Sequence, residues 1–416
     1  MHTKNTTHRL ASLLALTAAL AGCGGASDKT ATPAPPSPPP PPPAATPVSV
    51  SFVQSANNVL EPSSSEPLSV NVSTNGSTAP NGTVATFAVN PTTAGTLAPV
   101  APTTVGGVAS TTLTVSSLPP TATFQVTATA TSSANSASDS LTYYVRPAHK
   151  PLQVLVPAYF TATGTSTPWT TLTSGATSYP DVQITAIAST SSGVLTATTK
   201  EDTDLTTAVK AFRAVAGTSN RVIGYVATAS SSGGTLSVSD VKATIDNYIR
   251  LYPKLLDGFF LDGMATDSAR VAYFQDIYNY VKGLTSGMST GASAPGTPLL
   301  IGNPGTYPVP AYAAVADTLV TYAGNAAAYQ NVDPQPSSTW VYAKANTAQA
   351  MLVHSASTCT EMQAAVKNAN RPRLNTGMVY ATNLAIGAPW SALPTYWPQL
   401  LGTVDALNKE RTLPLC

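Results

Sequence analysis

Between residues 48 and 147, apolar and polar positions alternate over short stretches separated by Gly, Asn and Pro. The segments Leu68-Ser-Val-Asn-Val and Thr123-Phe-Gln-Val-Thr-Ala-Thr are clear examples. Alternation with a period of two predicts β-strands. About seven such strands in about 100 residues, with no helical run, predict an all-β antiparallel sandwich. The stretch contains no Cys, so no disulfide is expected between its sheets.

By strand pattern and turn spacing, this predicted sandwich resembles the immunoglobulin-like modules of bacterial surface proteins. We interpret it as a spacer, because it has few aromatic residues from which a binding hot spot is built. An adhesive module is the alternative.

From residue 150 to 416 the pattern changes to short apolar runs that alternate with helical stretches, which is typical of βα units. Eight units favour one (β/α)8 TIM barrel. An open doubly wound sheet is the competitor, but no Gly-rich phosphate turn follows the first strand. The predicted strands are Leu152–Tyr159, Val182–Ala188, Val222–Thr228, Gly258–Asp262, Leu299–Asn303, Thr318–Tyr322, Ala350–His354 and Gly377–Thr382. Helices are predicted at Leu205–Val215, Val238–Tyr252, Ser268–Leu284, Cys359–Ala369 and Leu393–Leu407.

Residues 1–22 have the pattern of a bacterial lipoprotein signal peptide. A basic start precedes an apolar run from Leu10 to Leu20 that is too short to span a bilayer. The Leu-Ala-Gly-Cys23 that ends this run resembles a lipobox, which predicts that Cys23 carries a lipid anchor after cleavage. An ordinary signal peptide with an incidental Cys is the alternative.

Residues 23–47 are rich in Pro, with an unbroken run from Pro38 to Pro43. This composition favours extended polyproline II and forms no core, so we interpret it as a stalk; a ligand for a proline-recognition domain is the alternative. Anchor and stalk together predict a protein on the cell surface, held in the membrane by lipid. We expect a monomer. Gly24 after the anchor favours the outer membrane.

The composition excludes several kinds of function. Charged residues make up only 9% of the chain and the formal net charge is +1, so no basic field for nucleic acid exists. The 4 His and 3 Cys are too few and too scattered for a zinc or iron–sulfur site. We expect no metal and no cofactor.

In a (β/α)8 barrel the reactive groups lie at the carboxyl ends of the strands. Most acidic residues fail this criterion: Asp257 and Asp317 come at strand starts, and Asp240 lies in the first turn of a helix. Asp262 meets it, because it ends the very apolar fourth strand before Gly263. We predict that Asp262 is catalytic; a cap for the next helix is the alternative.

The same rule brings aromatic and amide side chains to the rim. Aromatic faces stack on sugar rings and amide, imidazole or phenol groups bond to hydroxyls, so the predicted partner is a polysaccharide. Each of these residues alone is also compatible with a place in the core. The predicted substrate-binding residues are Tyr159, Tyr225, Asn303, His354, Tyr380 and Asn383.

Six segments in order carry a family resemblance. They are Gly224-Tyr-Val-Ala-Thr, Asp257-Gly-Phe-Phe-Leu-Asp262, Gly302-Asn-Pro-Gly-Thr, Val315-Ala-Asp-Thr-Leu-Val, His354 and Leu393-Pro-Thr-Tyr-Trp397. Together they resemble the spherulin-4 family (spherulation-specific family 4), over most of the chain from Leu152 to Leu407. The resemblance implies a (β/α)8 glycoside hydrolase-like protein that cleaves an α-linked, galactosamine-containing polysaccharide.

Two positions depart from the family pattern. The family's fourth strand typically ends in Asp-Glu and its sixth in Glu, whereas this chain has Gly263 and Ala323 there. Hydrolysis of a glycoside ordinarily needs two carboxyl groups. We predict Asp267 as the partner of Asp262. The alternatives are Asp333, Glu201 or Asp202, and an acetamido group of the substrate acting as internal nucleophile.

Two further interpretations of the barrel's function therefore stay open. One is a catalytically degenerate carbohydrate-binding or matrix protein that kept the cleft, and the other is a purely structural surface module. The remaining pair, Cys359 and Cys416, predicts one disulfide in an oxidising compartment; two buried free thiols are the alternative.

Overall fold

The computed structural model describes residues 47–416 apart from 54–56, 133–134, 165–166, 191–194, 230–234 and 290–296. The signal peptide, the Cys23 anchor and the Pro-rich segment predicted for residues 1–46 lie outside this part. Among the described helices, none combines the length and the apolar character that a membrane crossing requires.

The described part of residues 47–147 is all-β. One sheet has the strand order β1-β3-β7-β6, with β4 on β3, and the other has the order β2-β9-β8-β5. Apolar side chains of both sheets, among them Val70, Phe87 and Val126, form one buried cluster. The outer positions are largely Ser and Thr. The strands are β1 Val48–Phe52, β2 Val59–Leu60, β3 Ser65–Thr74, β4 Ser77–Thr78, β5 Ala85–Asn90, β6 Gly95–Ala98, β7 Val108–Val115, β8 Thr123–Ser132 and β9 Asn135–Val145.

The second region is a closed barrel of eight parallel strands in sequence order, in which the last strand pairs with the first. The prediction of a (β/α)8 barrel is confirmed. Its strands are β10 Gln153–Ala158, β11 Ile184–Ala188, β12 Arg221–Ala227, β13 Gly258–Asp262, β14 Leu299–Asn303, β15 Thr318–Asn325, β16 Gln349–His354 and β17 Met378–Ala381. Its helices are α1 Pro168–Ser178, α2 Thr203–Arg213, α3 Val238–Leu251, α4 Val271–Lys282, α5 Ala326–Tyr329, α6 Cys359–Ala369 and α7 Trp397–Asn408.

The bounds differ from the sequence-based ones in a few places. The predicted helix from Ser268 begins as a 3-10 turn, Ser268–Arg270, before α4. The sixth strand runs on to Asn325, and a register shift between Val320 and Tyr322 marks a bulge within it. The last helix begins only at Trp397, after a loop.

Alternation along the strands determines which side chains reach the barrel axis. Phe259 faces helix α3, where its ring lies 6.2 Å from that of Tyr248. Because successive side chains of a strand point to opposite faces, Phe260 and Asp262 face the axis. Tyr225, stacked 6.3 Å from Phe260, shares that face.

The two acids at strand starts have structural partners. Asp257 is buried, accepts a hydrogen bond of 2.8 Å from the Val222 amide and pairs with Arg213. Asp317 accepts one of 2.7 Å from the Leu300 amide and pairs with Lys282. Both therefore join a strand to the end of a helix at the amino end of the barrel.

The sandwich contacts residues that precede strands β16 and β17, which places the contact at the barrel's amino end. Tyr144 packs against Tyr342 with ring centroids 5.2 Å apart. The buried Arg146 bonds to Glu61 at 3.1 Å and to Asn375 at 3.4 Å. The sandwich is therefore joined to the barrel at the end opposite the strand ends that carry the candidate site.

Cys359 and Cys416 form a disulfide, with Sγ atoms 2.01 Å apart. It ties the last residue of the chain to the first residue of α6. The Gln363 side-chain amide also donates a hydrogen bond of 2.8 Å to the Pro414 carbonyl.

Candidate active site

The Asp262 carboxylate is held by one donor on each oxygen. The Tyr225 hydroxyl donates to Oδ2 and the Asn303 amide donates to Oδ1, both at 2.8 Å. These donors come from the neighbouring strands β12 and β14, whose registers set Asp262 level with Ala227 and Asn303. The sequence thus brings three polar side chains together at the carboxyl end of an otherwise apolar barrel.

Two tyrosines stand beside this carboxylate. The rings of Tyr159 and Tyr225 meet edge to face, with centroids 5.1 Å apart. Burial raises the pKa of the Tyr225 phenol above its usual value, and the neighbouring Asp262 raises it further. Burial and Asp262 raise the pKa of Tyr159 in the same way. Both phenols are therefore protonated near neutral pH and act as hydrogen-bond donors.

Asn303 also offers an acceptor. Its Nδ2 donates a hydrogen bond to Asp262, while its Oδ1 is buried and has no hydrogen-bond partner among the described residues. A buried acceptor that is left unpaired costs about 1–3 kcal/mol.

A small cleft of about 100 Å³ opens beside Tyr159 at the carboxyl ends of β10 and β11. Hydroxyl groups and one carboxylate make up most of its wall. Such a wall suits an uncharged ligand that is rich in hydroxyl groups. Its lining residues are Tyr159, Phe160, Thr161, Ala162, Thr163, Ser189, Thr190, Asp202 and Leu205.

His354 and Tyr380 lie at the ends of β16 and β17. Trp390, in the loop before α7, packs edge-on to His354 at 6.2 Å between centroids and lies 6.0 Å from Tyr380. Burial lowers the pKa of His354, so its imidazole is neutral at neutral pH. Asn383 lies in the same loop, and its Oδ1 accepts a hydrogen bond of 3.0 Å from the Thr395 amide.

Sequence reasoning did not select Trp390. It belongs to an irregular loop where neither helical nor strand period marks a buried or functional face. The available sign of a role at the rim was that a Trp lies in the loop after a strand that ends there.

The other candidate carboxylates have different surroundings. Asp267 is exposed and accepts a hydrogen bond of 2.8 Å from the Ala269 amide, capping a 3-10 turn. Asp202 caps α2 through Oδ1 and lines the cleft beside Tyr159. Glu201 accepts a hydrogen bond of 2.6 Å from Thr206. Asp333 pairs with Arg373, which also bonds to Asn58 of the sandwich.

Within the described residues, no group of three or more His, Cys, Asp or Glu side chains is arranged to hold a metal ion. The side chains of the candidate site offer carboxylate, phenol, amide and imidazole groups.

A family model described as spherulation-specific family 4 (Spherulin4) matches residues 153–404, which is more than half of the chain. The chain belongs to spherulation-specific family 4. The matched residues cover all eight barrel strands and extend into α7.

This spherulation-specific family 4 chain is similar to three known proteins at 28% identity or less. Spherulin-4 of Physarum polycephalum is 28% identical over an alignment of 196 residues, which covers 45% of this chain and 53% of that protein. The chain thus spans about half the length of this curated relative. Among solved structures, Aspergillus clavatus Sph3 in complex with GalNAc is 19% identical, with a TM-score of 0.48 over 61% of this chain and 98% of that one. A Bacteroides ovatus GH5 xyloglucanase is 12% identical, with a TM-score of 0.35 over 86% of this chain and 100% of that one.

The two positions where glutamates were expected, 263 and 323, have distinct geometry. Gly263 has φ +76°, and a Cβ there would lie 3.2 Å from the Cβ of Ala229. Ala323 is exposed within β15, and its amide donates to the Gly305 carbonyl at 3.0 Å. A Glu at position 263 is thus disfavoured by this backbone, whereas position 323 has room for one.

Replacing Gly263 with Ala is expected to lower the free energy of unfolding by about 1–2 kcal/mol, because the left-handed backbone disfavours any residue with a Cβ. Urea unfolding measures the change. Gly217→Ala is the matched control, since Gly217 has φ +74° with open space around it; it isolates the backbone strain from the contact with Ala229. An unchanged midpoint for Gly263→Ala contradicts the backbone described here.

Proposed function

We propose that this protein is a cell-surface glycoside hydrolase that cleaves an α-linked, galactosamine-containing polysaccharide. Membership of spherulation-specific family 4 supports the class of protein. The observation that carries the proposal is the Asp262 carboxylate, held by Tyr225 and Asn303 at the carboxyl end of the barrel. Tyr159 and the hydroxyl-lined cleft beside it supply surfaces for sugar rings.

Hydrolysis adds water across the bond between the anomeric carbon and the leaving oxygen. One carboxyl group protonates that oxygen, and the other activates water or attacks the anomeric carbon. In this proposal Asp262 fills one of these roles, and the Tyr225 and Asn303 donors fix its orientation.

The second carboxyl group has two candidates. Asp267 follows β13 as the sequence predicts, whereas Asp202 lines the cleft that contains Tyr159. An acetamido group is disfavoured as nucleophile, because in an α-linked 2-acetamido galactoside it lies on the same face of the ring as the leaving oxygen. Comparing Asp267→Asn with Asp202→Asn assigns the role, since loss of the true partner lowers kcat by about 10²-fold or more.

The absence of Glu at positions 263 and 323 favours a second candidate function. A barrel that kept Asp262 and its aromatic neighbours without the family's glutamates binds the same polysaccharide and leaves it intact. The two functions share the ligand and differ only in turnover.

The test is incubation of the purified protein with acetylated and deacetylated galactosamine polymers. New reducing ends report hydrolysis, and co-sedimentation with insoluble polymer reports binding. Hydrolysis supports the enzyme, and binding without new reducing ends supports the second function. If neither hydrolysis nor binding occurs, both proposed functions are refuted. Ala323→Glu, which places a carboxylate at the exposed end of β15, extends the test by asking whether turnover appears or increases.

The proposal also covers where the protein works. A lipid on Cys23 would hold it in the outer membrane as a monomer, and residues 23–47 would act as the stalk. The all-β region is proposed to be an immunoglobulin-like spacer, which is compatible with its attachment to the amino end of the barrel.

A further inference from the structure

Trp390 differs from the tryptophans that build the barrel core. Trp169 and Trp397 are 1% and 2% exposed, whereas Trp390 is only half-buried. Its ring lies over the ends of two strands, in contact with His354 and Tyr380. The loop thus presents part of an indole surface at the carboxyl end of the barrel.

The strand registers place the two residues beneath Trp390 on the same face of the sheet. Tyr380 is level with Leu352, two residues before His354 on β16. Through β10, whose Gln153 is level with Met378, this face continues to Tyr159. Since Tyr159 contacts Tyr225, which bonds to Asp262, Trp390 and Asp262 border the same mouth.

They border it from opposite sides. In the closed strand order β13 is the fourth strand and β17 the eighth, so half of the ring separates them. Eight strands about 4.8 Å apart and tilted by about 36° enclose a cylinder about 15 Å across. A ligand that spans this cylinder would place different units of one chain at Asp262 and at Trp390.

We propose that Trp390, with His354 beside it, forms a distal sugar-binding subsite that takes a second pyranose unit of the same polysaccharide. The indole face stacks on the apolar face of the ring, and the neutral imidazole bonds to a ring hydroxyl. This inference rests on the proposed function, and it adds that the site recognises an oligosaccharide that crosses the mouth rather than a single sugar.

A structural role is the competing explanation, in which Trp390 only holds its loop against the barrel. That role predicts a loss of stability and an equal effect on ligands of every length. A subsite predicts an effect that depends on ligand length, because a monosaccharide held at Asp262 does not reach Trp390.

Calorimetric titration of N-acetylgalactosamine and of its α-linked hexamer tests the subsite in the full chain. Trp390→Ala is expected to weaken hexamer binding about tenfold or more, corresponding to the loss of about 1.4 kcal/mol or more, and to leave monosaccharide binding within twofold. Trp390→Phe retains a ring and recovers part of the affinity. Ile386→Ala, in the same loop and 84% exposed, is the matched control with wild-type binding.

The outcomes separate this inference from the proposed function. If the wild-type protein binds neither ligand, the proposed function and the subsite both fall. If the wild type binds the hexamer and Trp390→Ala binds it equally well, or loses monosaccharide and hexamer binding in the same proportion, the subsite alone is overturned. Thermal unfolding of each folded variant identifies a purely structural loss.

Discussion

Replacing Asp262 with Asn is expected to lower kcat/KM on a galactosamine polymer by about 10³-fold. The amide neither transfers a proton nor carries the charge that stabilises a developing oxocarbenium ion. It also presents an NH₂ group where Tyr225 or Asn303 now donates, so the preorganised donors lose an acceptor. The assay is the initial rate of new reducing ends over a range of polymer concentrations.

Asp276→Asn is the matched control, because Asp276 is a solvent-exposed acid on α4 that pairs with Lys242. It should keep wild-type kinetics, while unfolding curves verify that Asp262→Asn is folded. Full activity in Asp262→Asn would remove Asp262 from the mechanism. If the wild-type protein binds the polymer without cleaving it, Asp262→Asn is expected to lower the affinity for the polymer.

Removing the disulfide between Cys359 and Cys416 is expected to lower the free energy of unfolding by about 2–4 kcal/mol. The crosslink closes a loop with a sequence separation of 57, and it restricts the unfolded chain over that length. The double variant Cys359→Ser/Cys416→Ser, unfolded in urea, gives the change.

Because either single substitution breaks the same bond, Cys359→Ser and Cys416→Ser should each lose about as much as the double variant. Additive losses from the two single variants would indicate packing contributions instead. Two titratable thiols in the unreduced, unfolded protein would contradict the crosslink itself.

Much of the fold was predictable because barrel strands are short apolar runs buried on both faces. Helix α1 was missed for a physical reason: its sequence is dominated by Thr and Ser, which are weak helix formers. The Thr167 capping box begins it, and its Ser and Thr hydroxyls bond to carbonyls of the preceding turn. Packing of Trp169 and Leu172 against the core, which the pattern alone does not reveal, completes it.

In the candidate site, too, the residues on strand ends were predictable and those on loops were not. Asp262, Tyr225 and Asn303 were selected because strand ends of a barrel share one rim, and the structure joins them by hydrogen bonds. Trp390 was missed, because the position of a long loop depends on tertiary contacts rather than on periodicity. The surroundings of Asp267 and Asp202 likewise depend on how each loop folds after its strand.

Sugar is proposed to bind at the carboxyl end of the barrel, against Asp262. A crystal structure of the protein with an α-linked galactosamine oligosaccharide tests it most directly. We predict a pyranose ring with a hydroxyl or the glycosidic oxygen within hydrogen-bond distance of an Asp262 carboxylate oxygen, packed beside Tyr159. An oligosaccharide bound elsewhere on the chain, with the Asp262 carboxylate still held only by Tyr225 and Asn303, would contradict the account.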